Sequence, residues 1–368
     1  MKSYLHAELS ATALRENVAA LRTLLDPATA LCPVVKDDAY GHGMIEVFEA
    51  LKDRTDGFAV ASPGEALALR AAGWGGFLLC FLSAYLDDVE VRETLVREEV
   101  TQTVMSEEAL RAIEAAAARV GKPARVHLKI DTGMGRLGIR PERTAAMLEA
   151  IRRAPHVTPT GIYTHFAKAD EPDDPATTEQ FERFRALLPH AGGLIRHAAN
   201  SSALLAFPET RLDMVRPGIA VYGLHASPAL HGRIDLTPCL RVTAKLIAVK
   251  HLPKGSRSGY GLTHRYERDS RVGVVPVGYG DGYFRAFSGR SIMCVRGRPA
   301  PVCGRISMDQ TTIDLTDVPD AVPGDEVEVL SAESGAPNGI ENLARLADTI
   351  PYEIACRLGR AISRRIVV

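Results

Sequence analysis

Lys36 closes a short apolar run in the stretch VVKDDAYGHG, Val34 to Gly43. An apolar strand can hold an amine partly desolvated, which lowers its pKa and makes it nucleophilic toward a carbonyl. A lysine at a strand end also commonly snorkels its head into water, so this stretch alone leaves both readings open. Other polar residues stand at the ends of similar runs. Lys129 and Arg136 flank a strand end in KIDTGMGRLG, His165 sits in THFAKAD, Asn200 and Ser201 in HAANSS, and Arg216, Gly218 and Ile219 in VRPGIA.

These residues need a frame that brings strand ends together. Leu14, Val18, Leu21 and Leu25 lie at spacings of four, three and four and predict an opening helix with one buried face. Eight strands are expected after it: Leu31–Lys36, Gly57–Ala61, Gly76–Phe81, Thr101–Met105, Ala124–Ile130, Thr160–His165, Leu194–Ala198 and Met214–Tyr222. Helix-sized segments such as Gly64–Ala72, Ser106–Val120 and Glu142–Arg152 separate most of them, with Ser106 as an N-cap. Such alternation predicts an α/β chain whose N-terminal part is a (β/α)₈ TIM-type barrel, with an open doubly wound sheet as the alternative.

From about Thr237 the pattern changes to short Val/Ile-rich runs punctuated by Gly, Pro and Asp. Arg241–Val249, Arg271–Val277, Ser291–Val295, Ala300–Ile306, Thr311–Leu315 and Asp325–Leu330 predict a mainly β C-terminal domain, with helical periodicity returning at Ile340–Thr349. The expected domains are residues 1–232 and 233–368, with the first residues available to pair with the β domain.

Composition narrows the function classes. A chain of 368 residues with net charge −1 and interspersed acids and bases offers no basic footprint for nucleic acid or an anionic membrane. No apolar run reaches the length of a membrane span, and MKSYLHAELS lacks the apolar core of a signal peptide. The six cysteines show neither C-x-x-C pairs nor metal-type spacing, so a reduced cytoplasm and no metal are expected.

Barrel enzymes place their chemistry at the carboxyl ends of strands and often bind phosphate after strands seven and eight. A phosphate near Ser201 would take its hydroxyl and the backbone N–H groups of Gly218 and Ile219. Lys36 would face it across the mouth, which points to pyridoxal phosphate held as a Schiff base. One motif competes: Gly133 to Gly138 reads G-x-G-x-x-G. It lies in the fifth unit, after a strand carrying His127, Lys129 and Asp131, where a dinucleotide fold would need an early, apolar one.

With these residues in place, the chain resembles the bacterial alanine racemases, type III fold pyridoxal-phosphate enzymes. The motifs VVKDDAYGHG, HLKIDTGMGRLG, THFAKAD, HAANSS, VRPGIAVYG, SGYGLTHRY, VPVGYGDGY, VCGRISMDQ and PYEI occur in family order. The resemblance implies a barrel plus a β domain, a homodimer with shared active sites, and interconversion of L- and D-alanine for peptidoglycan synthesis. It implies that Lys36 is the Schiff-base lysine and Tyr260 the second catalytic base. Tyr40, Ser201, Gly218, Ile219 and Tyr352 resemble the phosphate contacts. Arg216 resembles the arginine facing the pyridine nitrogen, and His165 its hydrogen-bonded neighbour beside the ring. Arg136 resembles the residue near the phenolic oxygen, Lys129 a carbamylated lysine that anchors it, and Met308 a backbone contact to the substrate carboxylate from the partner subunit.

Racemisation needs two bases flanking one carbon, which a lysine and a tyrosinate would provide once cationic neighbours lower the phenol's ordinary pKa of about 10. An arginine can only donate, so a pyridine nitrogen opposite Arg216 would stay unprotonated. Two departures stand out: Asp37 follows Lys36 where the family usually has alanine, and Ser307 stands where cysteine is common. Strand alternation would turn Asp37 away from the face of Lys36. The rivals are a serine or broad-specificity racemase, a decarboxylase of the same fold, and a non-catalytic pyridoxal-phosphate protein. The last would lack both the β domain and Tyr260.

Overall fold

The computed structural model describes residues 5–82, 87–360 and 363–367, so the ends of both expected domains lie outside the described residues. Eight parallel strands form one sheet in the order Ala30–Leu31, Met214–Val215, Ile195–His197, Val157–Tyr163, Ala124–Lys129, Thr101–Val104, Phe77–Cys80, Gly57–Val60. A parallel bridge from Val34 to Ala59 joins the last strand to the first and closes the ring, so the chain carries the barrel and not the open sheet. Around it run the helices, of which Glu107–Val120 shows the local logic. Ser106 Oγ accepts from the Ala109 N–H at 3.1 Å, acids occupy the first turn, and Gly121 ends the helix in the left-handed region.

The opening helix runs Ala11–Arg22, capped by Ser10, with Leu14, Val18 and Leu21 buried; Leu25 falls in the turn beyond it. Asn17 is also buried on that face. Its side-chain nitrogen donates to the carbonyls of Val221 and Thr237, and its oxygen accepts from the Thr237 N–H at 2.8 Å. This one amide therefore ties the helix to the chain leaving the barrel.

The C-terminal part contains a six-stranded sheet. Its order is Arg298–Pro301, Ile292–Val295, Glu326–Leu330, Leu240–Lys245, Leu5–Ser10, Ser363–Val367. Leu5–Ser10 pairs antiparallel with Leu240–Lys245 and parallel with Ser363–Val367, so both ends of the chain meet in this sheet. A three-stranded sheet of Ala248–Leu252, Ser270–Val275 and Thr311–Asp314 stands beside it. Two large apolar clusters fill the barrel and the β domain, and Tyr352 and Ala226 pack against both.

Several expected elements differ, among them these three. The strand Leu31–Lys36 is replaced by Ala30–Leu31 and the Val34 bridge; Lys36 instead opens the turn Lys36–Tyr40. Met214–Tyr222 is a strand only at Met214–Val215, because Pro217 cannot donate to a ladder, and Ile219–Tyr222 coils into a 3₁₀ turn. The expected strand Arg241–Val249 breaks into Leu240–Lys245 and Ala248–Leu252, which belong to different sheets. Among the described residues no helix is long and apolar enough to cross a membrane.

Candidate active site

Lys36 sits on an unusual piece of backbone. Asp37, Asp38, Ala39 and Tyr40 all have φ between 52° and 56°, and Gly41 follows at 82°. Left-handed backbone costs an L-residue roughly 1–2 kcal/mol, so this turn has to be held from outside. Asp37 N–H donates to Glu65 Oε1 at 2.6 Å, while Glu65 Oε2 accepts from the Ala61 and Ser62 N–H groups. Asp38 accepts from the Met44 N–H at 2.9 Å and pairs with Arg364. The helix Pro351–Arg360 packs so closely that a Cβ on Gly41 would lie 2.3 Å from the Ala355 carbonyl oxygen. The strand-alternation argument for Asp37 fails for the same reason: its direction is set by a left-handed turn.

The turn delivers Tyr40 to the loops after strands seven and eight. Its phenolic oxygen lies where a Cβ on Gly218 would come within 2.5 Å, and its ring packs 5.7 Å from that of Tyr352. Ser201 Oγ accepts from the N–H groups of Gly218 at 2.8 Å and Ala220 at 3.2 Å. Among the described residues no acceptor meets the Ile219 N–H between them. Tyr40, Ser201, Gly218, Ile219 and Tyr352 thus converge in one donor-rich cradle, the donor set a phosphate dianion takes.

Beside this cradle lies a group of cations. Burial holds the His165 imidazole well below its ordinary pKa, and the charges of Arg216, Lys129, Arg136 and Lys36 push it the same way. All four charges therefore act on one ring. Arg216 is buried; it donates from Nη2 to the Thr164 and Ala198 carbonyls and from Nη1 to His197 Nδ1 at 2.7 Å. Its histidine partner is thus His197, not His165. The aromatic floor is Tyr163, with Lys129 Nζ 4.7 Å and the Arg216 guanidinium 5.2 Å from its centroid and His197 stacked at 4.7 Å. Burial, then Arg216 and Arg136, bring the Lys129 amine down to about 7.

The G-x-G-x-x-G stretch is used differently from a dinucleotide loop. Asp131 Oδ1 accepts from the Gly133 and Gly135 N–H groups, and Ile139 N–H returns to the Lys129 carbonyl. The loop folds back on its own strand, which leaves Arg136 exposed.

Tyr260 and Met308 are not brought to this rim. Tyr260 is 69% exposed at the tip of the hairpin Arg257–Arg265, and Met308 is 55% exposed. A Cβ on Gly259 would touch the Arg305 backbone nitrogen, and Gly280 N–H donates to the Met308 carbonyl, so both residues share one face of the β domain. Leu262 and Tyr279 are exposed there too. Sequence reasoning missed His197, Tyr163 and Glu65. His197 and Tyr163 read as strand interior, and Glu65 as one more helix-start acid; only its place three residues after Ser62 hinted at a capping box.

Comparison with known proteins agrees with this geometry. Residues 9–226 match the family model for the alanine racemase N-terminal domain, and residues 239–366 that for the C-terminal domain. The chain is 40% identical over 365 residues to the alanine racemase of Desulfovibrio desulfuricans, covering 97% of this chain and 96% of that one. It is 37% identical to that of Halothermothrix orenii, covering 97% and 95%. Among solved structures, alanine racemase from D-cycloserine producing Streptomyces lavendulae superposes with a TM-score of 0.94 at 37% identity, covering 100% of this chain and 98% of that one. The biosynthetic alanine racemase of Pseudomonas aeruginosa does so at 0.89 and 34%, covering 99% of each. The chain belongs to the alanine racemase family.

Proposed function

We propose that the protein interconverts L- and D-alanine with pyridoxal phosphate on Lys36, supplying D-alanine for peptidoglycan in a reduced cytoplasm. The observation that carries this is the pair of cations, Lys129 and Arg216, over the Tyr163 ring, beside a cradle of hydroxyl and N–H donors. A mouth so rich in cations and donors fits an anionic cofactor and a carboxylate substrate. The residues present fit that cofactor: Tyr40, Ser201, Tyr352 and the N–H groups of Gly218 and Ile219 would hold its phosphate, and Arg216 its pyridine nitrogen. When bound, the cofactor supplies the electron sink that acidifies the α-proton.

The chain's own residues move that proton. Lys36 takes it from one face of the α-carbon, and Tyr260 serves the opposite face. Arg216 only donates, so a nitrogen facing it stays an acceptor. Arg136, exposed in the loop after the strand Ala124–Lys129, would hold the cofactor's phenolic oxygen. With its amine near 7, Lys129 is unprotonated often enough at neutral pH to react with CO₂, and the resulting carbamate would pair with Arg136 where an ammonium would repel it.

Tyr260 acts from a second copy of the chain. Its exposure in a single chain, beside exposed Met308, Leu262 and Tyr279, supports a homodimer in which this apolar face covers the partner's barrel mouth. The Met308 backbone then reaches the substrate carboxylate. Borohydride reduction of the purified protein, followed by peptide mapping, tests the assignment. The cofactor should be fixed on Lys36, and a racemisation assay over a panel of L-amino acids should favour alanine. A reducible adduct retained at another lysine in Lys36→Ala would overturn it.

A further inference from the structure

We propose that His225, His231 and Glu341 form a binding site for one divalent transition-metal ion, zinc above all, clamping the chain that leaves the barrel to the first helix of the β domain. His225 follows the 3₁₀ turn Ile219–Tyr222, His231 follows the turn Pro228–Leu230, and Glu341 lies in the first turn of the helix Ile340–Ala347. One donor atom from each lies within 4.8 Å of the other two. His225 Nδ1 stands 3.5 Å from Glu341 Oε1, and His231 Nε2 stands 3.0 Å from Glu341 Oε2.

These separations suit a shared ion. Zinc bound at roughly 2.0–2.1 Å in a tetrahedron sets its donors about 3.4 Å apart. The His225–Glu341 pair already has that spacing, and half-exposed His231 reaches Glu341 Oε2 at 3.0 Å. His225 Nδ1 meets Glu341 Oε1 only at the outer limit of a hydrogen bond, a separation that an ion between them would also set. The carboxylate is meanwhile held in place by the His225 backbone, whose N–H donates to Glu341 Oε1 at 2.9 Å, as outer contacts orient ligands in metal sites.

Chemistry and access point the same way. Two imidazoles and one carboxylate favour zinc, cobalt, nickel or copper over magnesium or calcium, which prefer all-oxygen shells. The three residues line a cavity of about 1080 Å³ that also presents Asp170, Glu171 and Asn342. That opening gives the ion an entry path and leaves its fourth position to water. Three protein ligands with an open fourth position is a known zinc arrangement. No sequence motif shows it, because Glu341 lies 110 residues beyond His231.

Holoenzyme stripped with a chelator and titrated with Zn²⁺ by calorimetry, and with Co²⁺ by visible d–d absorption, tests this. We expect saturation at one ion per chain, cobalt bands of tetrahedral intensity, and a thermal midpoint that rises with Zn²⁺ because only the folded chain assembles the site. His231→Ala and Glu341→Gln should each weaken binding by about 100-fold or more, since even outer-shell losses cost about 10–100-fold. Glu341→Gln keeps an oxygen for the His225 N–H, and half-exposed His231 is not part of a core, so both variants should unfold near the wild-type temperature without metal. No saturable binding to the wild-type holoenzyme, or binding equal in wild type and both variants, would overturn the proposal and leave a plain histidine–glutamate hydrogen-bonded bridge.

Discussion

The Arg216 guanidinium donates from Nη1 to Nδ1 of His197 across 2.7 Å inside the barrel, and this contact fixes the protons of two further groups. Arginine has no acceptor, so His197 Nδ1 must accept and its proton sits on Nε2. That N–H faces His127 Nδ1 at 2.8 Å, so His127 in turn carries its proton on Nε2, which is buried without a partner among the described residues. Both rings are kept neutral by burial and by the Arg216 charge.

His197→Ala should therefore loosen Arg216 rather than unload the site. A hydrogen bond to a charged group contributes about 1.5–3 kcal/mol, so racemisation should fall roughly 10–100-fold. Cofactor transamination should rise relative to racemisation as control of the pyridine nitrogen slackens. Equal partitioning in His197→Ala and wild type would show that the histidine merely fills space.

Gly218→Ala tests the phosphate cradle. The substitution adds one Cβ where the site has no room for it. The new Cβ would sit 2.5 Å from the Tyr40 phenolic oxygen and displace it. Cofactor dissociation, followed by loss of visible absorption on dilution, should accelerate by about tenfold, the loss of one charged hydrogen bond. Unchanged retention would remove Tyr40 from the phosphate contacts.

Lys129 should carry a carbamate whose occupancy rises with pH. Its folded pKa of about 7 lies below the ordinary lysine value of about 10.4, so the free amine that attacks CO₂ grows as pH climbs through 7. In CO₂-free buffer the unfolded chain binds the extra proton between those two values, and stability should rise with pH there, by at most about 1.4 kcal/mol per unit from this group. Carbon-13 NMR in labelled bicarbonate should show a carbamate that Lys129→Met lacks. No signal at pH 8 would refute the modification.

Acid should destabilise the protein through its buried histidines. His42 is lowered to about 4 and His127 to about 3 by burial. The unfolded state then binds more protons from about pH 6.5 downward, so stability falls as pH drops through that range. His42→Phe, which keeps a ring against Tyr222, should reduce the fall in urea midpoint between pH 7 and 5. An identical fall in both proteins would contradict it.

Regular elements were legible where local chemistry agrees with tertiary need. Ser106 and the helix after it are one case, and the eight-unit alternation that gives the barrel is another. The Lys36 turn was not, because a left-handed run of non-glycine residues has no periodic signature and is imposed by Glu65, Arg364 and the helix Pro351–Arg360. Lys36, Ser201 and Arg216 were legible because they end or follow strands. His197 was not, because its role exists only when Arg216, at the end of the neighbouring strand, lies beside it. Tyr260 could be singled out from its Gly-Tyr-Gly setting only through the family, since the site proposed for it needs a second chain.

In the proposed dimer each active site combines Lys36 of one chain with Tyr260 of another. Lys36→Ala and Tyr260→Phe, each inactive as a racemase, should regain up to roughly a quarter of the wild-type sites when mixed under free subunit exchange in a C₂ dimer. Every mixed dimer then holds one site with both defects and one with neither. Stable mixed dimers without restored racemisation would show that Tyr260 serves its own chain and would contradict the shared site.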